Sequence, residues 1–135
     1  FACFNNDDLE SLQGAPQTVG GDFICNGNKK LTSLQGAPRE VGGSFDCSSN
    51  INITSLEGIS RIIRTMNGTM YIPETVTSHI LGLARIRGLT GVGHVTPKRL
   101  QQAIDIINNN LGGRGDIHQA QEQLLDAGLQ EFAQL

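Results

Sequence analysis

Long apolar runs are missing from the sequence: no stretch approaches the roughly 18 consecutive residues that a membrane-spanning helix needs. No signal peptide is visible either. Tryptophan is absent and aromatic residues make up only 4% of the chain, but a hydrophobic content of 38% is adequate for a core. In 135 residues we therefore expect one compact domain or a short repeat array with a cap, and no membrane partner.

Cysteine is scarce, and its number is odd. The three cysteines, Cys3, Cys25 and Cys47, are spaced 22 residues apart. One disulfide plus a free thiol is a possible interpretation, but the equal spacing favours a ladder of small buried side chains, because a free cysteine behaves as a compact hydrophobe. An odd count also fits a reducing compartment better than secretion. A metal site is the least favoured interpretation, since this spacing is not one that zinc ligands use.

The cysteine spacing belongs to a repeat. Residues 19–34 read VGGDFICNGNKKLTSL, and residues 41–56 read VGGSFDCSSNINITSL. Alternation with period two is typical of a short strand, so in each unit we expect Phe and Cys to point inward. An asparagine three residues later is expected to be buried and to hydrogen-bond neighbouring units. These three structural rows are Phe1, Phe23 and Phe45; Cys3, Cys25 and Cys47; and Asn6, Asn28 and Asn50.

The side chains between the inward positions are predicted to face outward. Such rows give a repeat protein an extended surface for a partner protein. The candidate binding residues on these rows are Phe4, Asp22, Ile24, Asn26, Ser44, Asp46 and Ser48. A fourth, degenerate unit retains Met70 and Tyr71 as a last strand if three residues are inserted before it.

From residue 74 the apolar period changes to 3.6, which is typical of helices. Gly88 fits the position just after a helix, Thr96 fits an N-cap, and Asp116 with Gln119 forms a capping-box pair. The pattern therefore predicts three helices, over residues 76–84, 97–111 and 116–127.

The order of strand, turn asparagine and paired apolar anchors resembles the leucine-rich repeat, with phenylalanine and cysteine in place of two leucines. Repeats of the form LTSLxGAPxxVGGxFxCxxN, here covering residues 1 to about 72, followed by a helical segment, resemble uncharacterised repeat proteins of tailed bacteriophages. The resemblance implies a phage origin and brings no catalytic residue.

We therefore predict an α+β fold. Residues 1–73 are expected to form a short leucine-rich-repeat-like β-solenoid of three to four 22-residue units, and residues 74–135 a C-terminal cap of about three bundled helices. Because Phe1 stands in the middle of a unit, we also expect the solenoid to continue towards the N-terminus.

One motif suggests a different function. A Gly-Val-Gly turn lies among basic residues, as in helix-hairpin-helix proteins whose backbone amides hold a DNA phosphate. Residues 61–99 carry six basic and one acidic side chain, although the chain as a whole has a net charge of −3. Thr96-Pro97 interrupts the unbroken helix that this motif requires. The alternative phosphate-binding residues are Arg85, Arg87, Gly91, Gly93, Lys98 and Arg99.

No pattern in the sequence predicts a catalytic site, a cofactor or a metal. Serine and threonine occur in no nucleophile motif, and the three histidines lie on different segments without ligand spacing. The sequence therefore predicts a non-catalytic protein-protein interaction or structural module of the host cytoplasm or of a virion. Nucleic-acid binding through residues 91–99 is the alternative.

Overall fold

The computed structural model describes residues 1–112 and 117–135. In these residues the chain forms six strands and three α-helices, none of which is long and apolar enough to cross a membrane. The strands are β1 (Thr18–Val19), β2 (Phe23–Ile24), β3 (Glu40–Val41), β4 (Phe45–Asp46), β5 (Thr65–Tyr71) and β6 (Arg87–Val92). The helices are α1 (Ile59–Ile62), α2 (Lys98–Asn108) and α3 (Ile117–Asp126), with 3-10 turns at Leu81–Arg85 and Gln130–Phe132.

The six strands form one open sheet in which β5 is the central strand. β1 pairs with β3 and β2 with β4, both in parallel and both at an offset of one repeat unit. β5 then pairs in parallel with β3 at its beginning and with β4 at its end. β6 runs parallel to β5 along most of its length, with irregular register around Gly68. The two rows of short strands are therefore joined by a single longer strand.

This architecture shows that the predicted fold class is wrong. The chain is an α/β protein with an open, mostly parallel sheet, not an α+β β-solenoid closed by a C-terminal helical bundle. The fourth unit differs physically from the others, because its seven residues Thr65–Tyr71 form one continuous strand instead of two short ones. The sheet then gains β6 from the segment that was predicted to be helical. The helices cover this enlarged sheet, and α1 lies within the repeats themselves.

The helix predicted over residues 76–84 is also absent. A 3-10 turn at Leu81–Arg85 replaces it, and Gly88 lies in β6 instead of ending a helix. Gly88 has a φ of 79°, and a Cβ atom there would lie 1.9 Å from the carbonyl oxygen of Met66. Glycine is therefore needed here for the close approach of β5 and β6, not for a helix end.

The other two predicted helices are present as α2 and α3. Thr96 is not the N-cap of α2, because Pro97 holds that position and the Thr96 hydroxyl donates to Glu74 Oε1 at 3.0 Å. The capping box predicted at Asp116 lies outside the described residues. The prediction from 3.6-residue periodicity thus holds where the apolar stripe is long.

The predicted domain boundary at residues 73 and 74 stays a prediction. Hydrogen bonds join the two segments, because β6 pairs with β5 and the Gly58 amide donates to the Leu135 carbonyl at 2.9 Å. The 22-residue repeat is interrupted before this boundary. Phe45 of β4 pairs with Met70 of β5, 25 residues later, as expected for three inserted residues.

The phenylalanine and cysteine rows pack in the core. Phe23 pairs with Phe45 across β2 and β4, and their ring centroids lie 5.0 Å apart. Phe1 stacks on Phe23 at 5.3 Å. All three thiols are free, with Cys25 and Cys47 fully buried and Cys3 half-buried.

The asparagine row connects successive units through buried amides. Asn28 Oδ1 accepts from the Asn6 amide at 2.8 Å, and Asn50 Oδ1 accepts from the Asn28 amide at 2.7 Å. The Asn50 side-chain nitrogen also donates to the carbonyls of Cys25 and Cys47, at 3.1 and 2.7 Å. Each buried asparagine therefore fixes the turn of its own unit and that of the preceding one.

We expect Asn50→Ala to lower the free energy of unfolding by about 3 kcal/mol, because it leaves three buried backbone groups without partners. Asn6→Ala is the matched control, since Asn6 holds the same position of its unit but is exposed and accepts only from the Asp8 amide. Its cost should stay below about 1 kcal/mol in urea unfolding. Equal costs for the two variants would contradict the role given to the buried amide.

The buried thiols predict loss of stability at high pH. Burial raises the pKa of Cys25, and burial together with the neighbouring Cys25 and Asp46 raises the pKa of Cys47 well above its ordinary value. In the unfolded chain both thiols ionise near pH 8.5, so their contribution is fully present below that pH and declines above it. The free energy of unfolding should fall by about 1.4 kcal/mol per pH unit for each thiol.

Urea unfolding between about pH 8 and pH 10 measures this slope. Cys25→Ala should make the slope shallower by the share of one thiol, whatever its effect on stability at neutral pH. A slope unchanged by the substitution would show that other groups cause it.

Candidate binding surfaces

Four arginine side chains line one cavity beside the beginning of β5. The cavity has a volume of about 280 Å³, and we call it the arginine pocket. Two hydroxyl groups, from Ser60 and Thr65, complete its lining. The arginines of the pocket are Arg61, Arg64, Arg85 and Arg87.

Backbone pairing brings these arginines together from distant parts of the chain. The Arg64 amide donates to the Arg39 carbonyl at 2.8 Å, and the Arg87 amide donates to the Arg64 carbonyl at 3.1 Å. The three residues therefore lie on neighbouring strands, which are about 4.8 Å apart in any sheet. Arg61 comes from the last turn of α1, and Arg85 from the 3-10 turn before β6.

The positive charges of the pocket have no partner among the described residues. In residues 1–112 and 117–135, ion pairs join Lys30 to Asp8 and Arg99 to Glu131, and no ion pair or side-chain hydrogen bond involves the pocket arginines. Guanidinium groups stay charged at all physiological pH values. The pocket therefore presents four uncompensated positive charges to solvent.

Two larger clefts adjoin the arginine pocket. One of about 560 Å³ shares Arg61 and adds Arg39, Glu57 and neutral side chains. The other, of about 670 Å³, shares Arg85 and Arg87 and continues along Thr90 and Asn108. Positive charge is thus concentrated in the pocket between them.

The phosphate site predicted around residues 91–99 is not assembled by the structure. Arg85 and Arg87 lie in the arginine pocket, and Lys98 is exposed at the start of α2. The Gly93 amide donates to the Met70 carbonyl at 2.9 Å, and Gly91 pairs with Thr69 inside the sheet. These glycines therefore serve the pairing of β5 and β6.

Arg99 is held by its own neighbours. Its Nε donates to Glu131 Oε1 at 2.8 Å, and its terminal nitrogen donates to the same carboxylate and to the Gly128 carbonyl. The hydrogen bond from Arg99 lowers the pKa of Glu131. Arg99 thus links α2 to the C-terminal segment instead of facing a ligand.

The outward strand rows run across the sheet as predicted by their register. Ile24 pairs with Asp46 and Asp46 with Tyr71, so Tyr71 continues the row that starts at the Ala2–Ile24 bridge. Some candidate residues bond within the sheet: Asp22 Oδ1 accepts from the Ser44 amide, and Asp46 Oδ1 accepts from the amide and hydroxyl of Ser48. Phe4 is exposed, and Asn26 is half-buried.

A second cleft lies beside Tyr71, at the other end of β5. We call it the Tyr71 cleft; its volume is about 430 Å³. Tyr71 is 45% exposed and Ile51 is 54% exposed, both unusually high for large apolar side chains in this chain. Polar and apolar groups share the lining, which consists of Ser48, Ser49, Ile51, Tyr71, Ile72, Pro73, Glu74, Thr75, His94 and Val95.

Tyr71 is fixed in place by its surroundings. Its carbonyl accepts hydrogen bonds from the Cys47 amide at 2.9 Å and from the Cys47 thiol at 3.2 Å. Its ring lies so close to Gly93 that a Cβ atom there would be 2.5 Å from a ring carbon. The tyrosine is therefore an exposed but positioned side chain.

Sequence reasoning missed the grouping of Arg39, Arg61 and Arg64 with Arg85 and Arg87. The signal was present, because Arg39 and Arg61 are one period of 22 residues apart and Arg64 and Arg87 are 23 apart. Tyr71 was placed on a strand but not on an outward row. The three-residue insertion hid its alignment with Asp46.

No protein-family model, curated protein or solved structure matches the chain. The resemblance to bacteriophage repeat proteins therefore stays a prediction. Within residues 1–112 and 117–135, no group of three or more His, Cys, Asp or Glu side chains is arranged to hold a metal ion.

Arg99→Gln should raise the pKa of Glu131 back towards its ordinary range, because the lowered value depends first on the hydrogen bond from Arg99. A carboxyl NMR titration measures this directly. Lys98→Gln removes the same charge from the neighbouring position and should leave Glu131 unchanged. An unaltered Glu131 titration in the Arg99 variant would mean that Arg99 is free for a ligand.

Proposed function

We propose that the protein is a non-catalytic binding module that recognises a partner protein through the Tyr71 cleft. The observation that carries this proposal is a positioned, half-exposed Tyr71 beside the exposed Ile51 at a cleft of about 430 Å³. Tyrosine is enriched among the residues that contribute most to protein-protein affinity. Its two torsion angles are also cheap to immobilise compared with those of longer side chains.

The cleft fits an apolar side chain of the partner. Ile51, Pro73 and Val95 provide apolar walls around the Tyr71 ring. Burying an aliphatic or aromatic side chain there gains roughly 25 cal/mol for each Å² of apolar surface removed from water. A fixed Tyr71 makes this gain without the entropic cost of ordering a mobile loop.

Polar groups at the rim add directionality. Glu74 accepts from the amide and hydroxyl of Thr96, so its carboxylate position is set before a partner arrives. His94 is exposed on the opposite side of the lining and keeps its ring free for a hydrogen bond. A polar rim around an apolar centre is the arrangement common to specific protein interfaces.

The outward rows predicted from the sequence extend this surface. Asp46 precedes Tyr71 on its row, and Ser48 lies in the lining of the cleft. A partner anchored at Tyr71 would therefore also contact these rows. The proposal favours a protein over nucleic acid as partner, because Gly93 and Arg99 of the alternative site are bonded within the chain. A place in a virion or phage-host complex belongs to this proposal and rests on the sequence resemblance alone.

Selection of random linear peptides on the immobilised wild-type protein tests the proposal. Enriched peptides should share an apolar anchor residue, and Tyr71→Ala should weaken their binding by about 30-fold, the loss of roughly 2 kcal/mol expected at a binding hot spot. Leu125→Ala is the matched control, because Leu125 is a large apolar side chain on α3 that is 53% exposed and lies outside the cleft. The control should bind as the wild type does.

Two results would overturn the proposal. One is enrichment of peptides whose affinity is the same for wild type and Tyr71→Ala. The other is equal loss of binding in Tyr71→Ala and Leu125→Ala. Circular dichroism of each variant separates loss of the cleft from loss of the fold.

A further inference from the structure

We propose that the arginine pocket is an oxyanion site for a compact phosphate group, such as pyrophosphate or a phosphate monoester. This site is separate from the Tyr71 cleft: Thr65, at the first residue of β5, lines the pocket and Tyr71, at its last, lines the cleft. The proposal therefore adds a second ligand to the binding module.

The chemistry of the lining favours phosphate. Each guanidinium presents paired N–H donors whose spacing matches two oxygens of one phosphate. Four such groups, with the hydroxyls of Ser60 and Thr65, supply more donors than a single carboxylate can accept. A phosphate group offers three acceptor oxygens and close to two negative charges at neutral pH.

The position of the arginines also favours phosphate. Arg64 and Arg87 are tied to neighbouring strands by the hydrogen bond between their backbones, so the origins of their side chains are fixed. Arg61 and Arg85 reach the cavity from a short helix and a 3-10 turn on either side. The four positive charges thus surround one cavity of about 280 Å³ instead of spreading along a groove.

The surroundings favour a small anion over a long polyanion. The cleft on one side of the pocket contains the acidic Glu57 with Gln17 and Gln35, and the cleft on the other side continues into neutral Thr90 and Asn108. The chain as a whole carries a charge of −3, which opposes the approach of an extended nucleic acid. Attraction is therefore local to the pocket.

Isothermal titration with sodium pyrophosphate at constant ionic strength tests this site. We expect saturable binding at one site per chain, with inorganic phosphate binding more weakly because it has fewer oxygens and charges. Arg64→Gln and Arg87→Gln should each weaken pyrophosphate binding by roughly three- to tenfold, as expected when one charge-assisted contact at a partly exposed site is lost. All the pocket arginines are exposed, so both variants should fold normally.

Lys98→Gln is the matched control. It removes one positive charge from an exposed residue outside the pocket and should leave the affinity unchanged. Arg64→Lys separates charge from geometry: it keeps the charge but loses the paired donors, so it should bind more weakly than the wild type.

Three results would overturn the proposal. The first is no saturable pyrophosphate binding at millimolar concentration. The second is equal weakening in Lys98→Gln and Arg64→Gln, which would show a response to net charge only. The third is tighter binding of succinate or of a single-stranded oligonucleotide than of pyrophosphate, which would assign the pocket to a carboxylate or to a nucleic-acid backbone.

Discussion

The hydrogen bonds of Asn28 and Asn50 are the constraint on which the repeat segment depends. Each buried amide bonds backbone groups of two successive units, so one unit cannot slide along the next without leaving polar groups unpaired in the core. The strands that precede these turns are only two residues long and would not define a register alone. Fixed register stacks Phe23 on Phe45, and it carries the rows onto β5.

β5 turns this internal order into function. It is the one strand in the described residues that pairs with three others, and it lies next to a different surface at each end. Thr65 at its beginning belongs to a pocket of arginines, while Tyr71 at its end belongs to a largely apolar cleft. The two surfaces differ in chemistry, so they would recognise different groups and do not compete for one ligand.

The repeat allowed the short strands, the inward phenylalanine and cysteine rows and the buried asparagines to be predicted from sequence, because each follows from a period of two inside a period of 22. The fold class could not be predicted in this way. Residues 76–84 have helical periodicity, yet pairing of β6 with β5 prevails, and Gly88 is needed for a contact with Met66 that no local pattern reveals. Arg39 and Arg61 shared the period, but arginine was not expected to be a repeat position. The Tyr71 cleft depends on His94 and Val95, which only the tertiary fold brings to the repeats.

The arginines on neighbouring strands have a consequence for folding itself. Like charges on adjacent strands repel each other, and among the described residues no carboxylate offsets this repulsion. Formation of the sheet therefore works against an electrostatic penalty that is largest in dilute buffer and shrinks as the Debye length falls from about 30 Å at 0.01 M salt to about 8 Å at 0.15 M. The native state is thus coupled to the ionic composition of its surroundings. An environment rich in mobile anions favours the same backbone pairing that assembles the pocket.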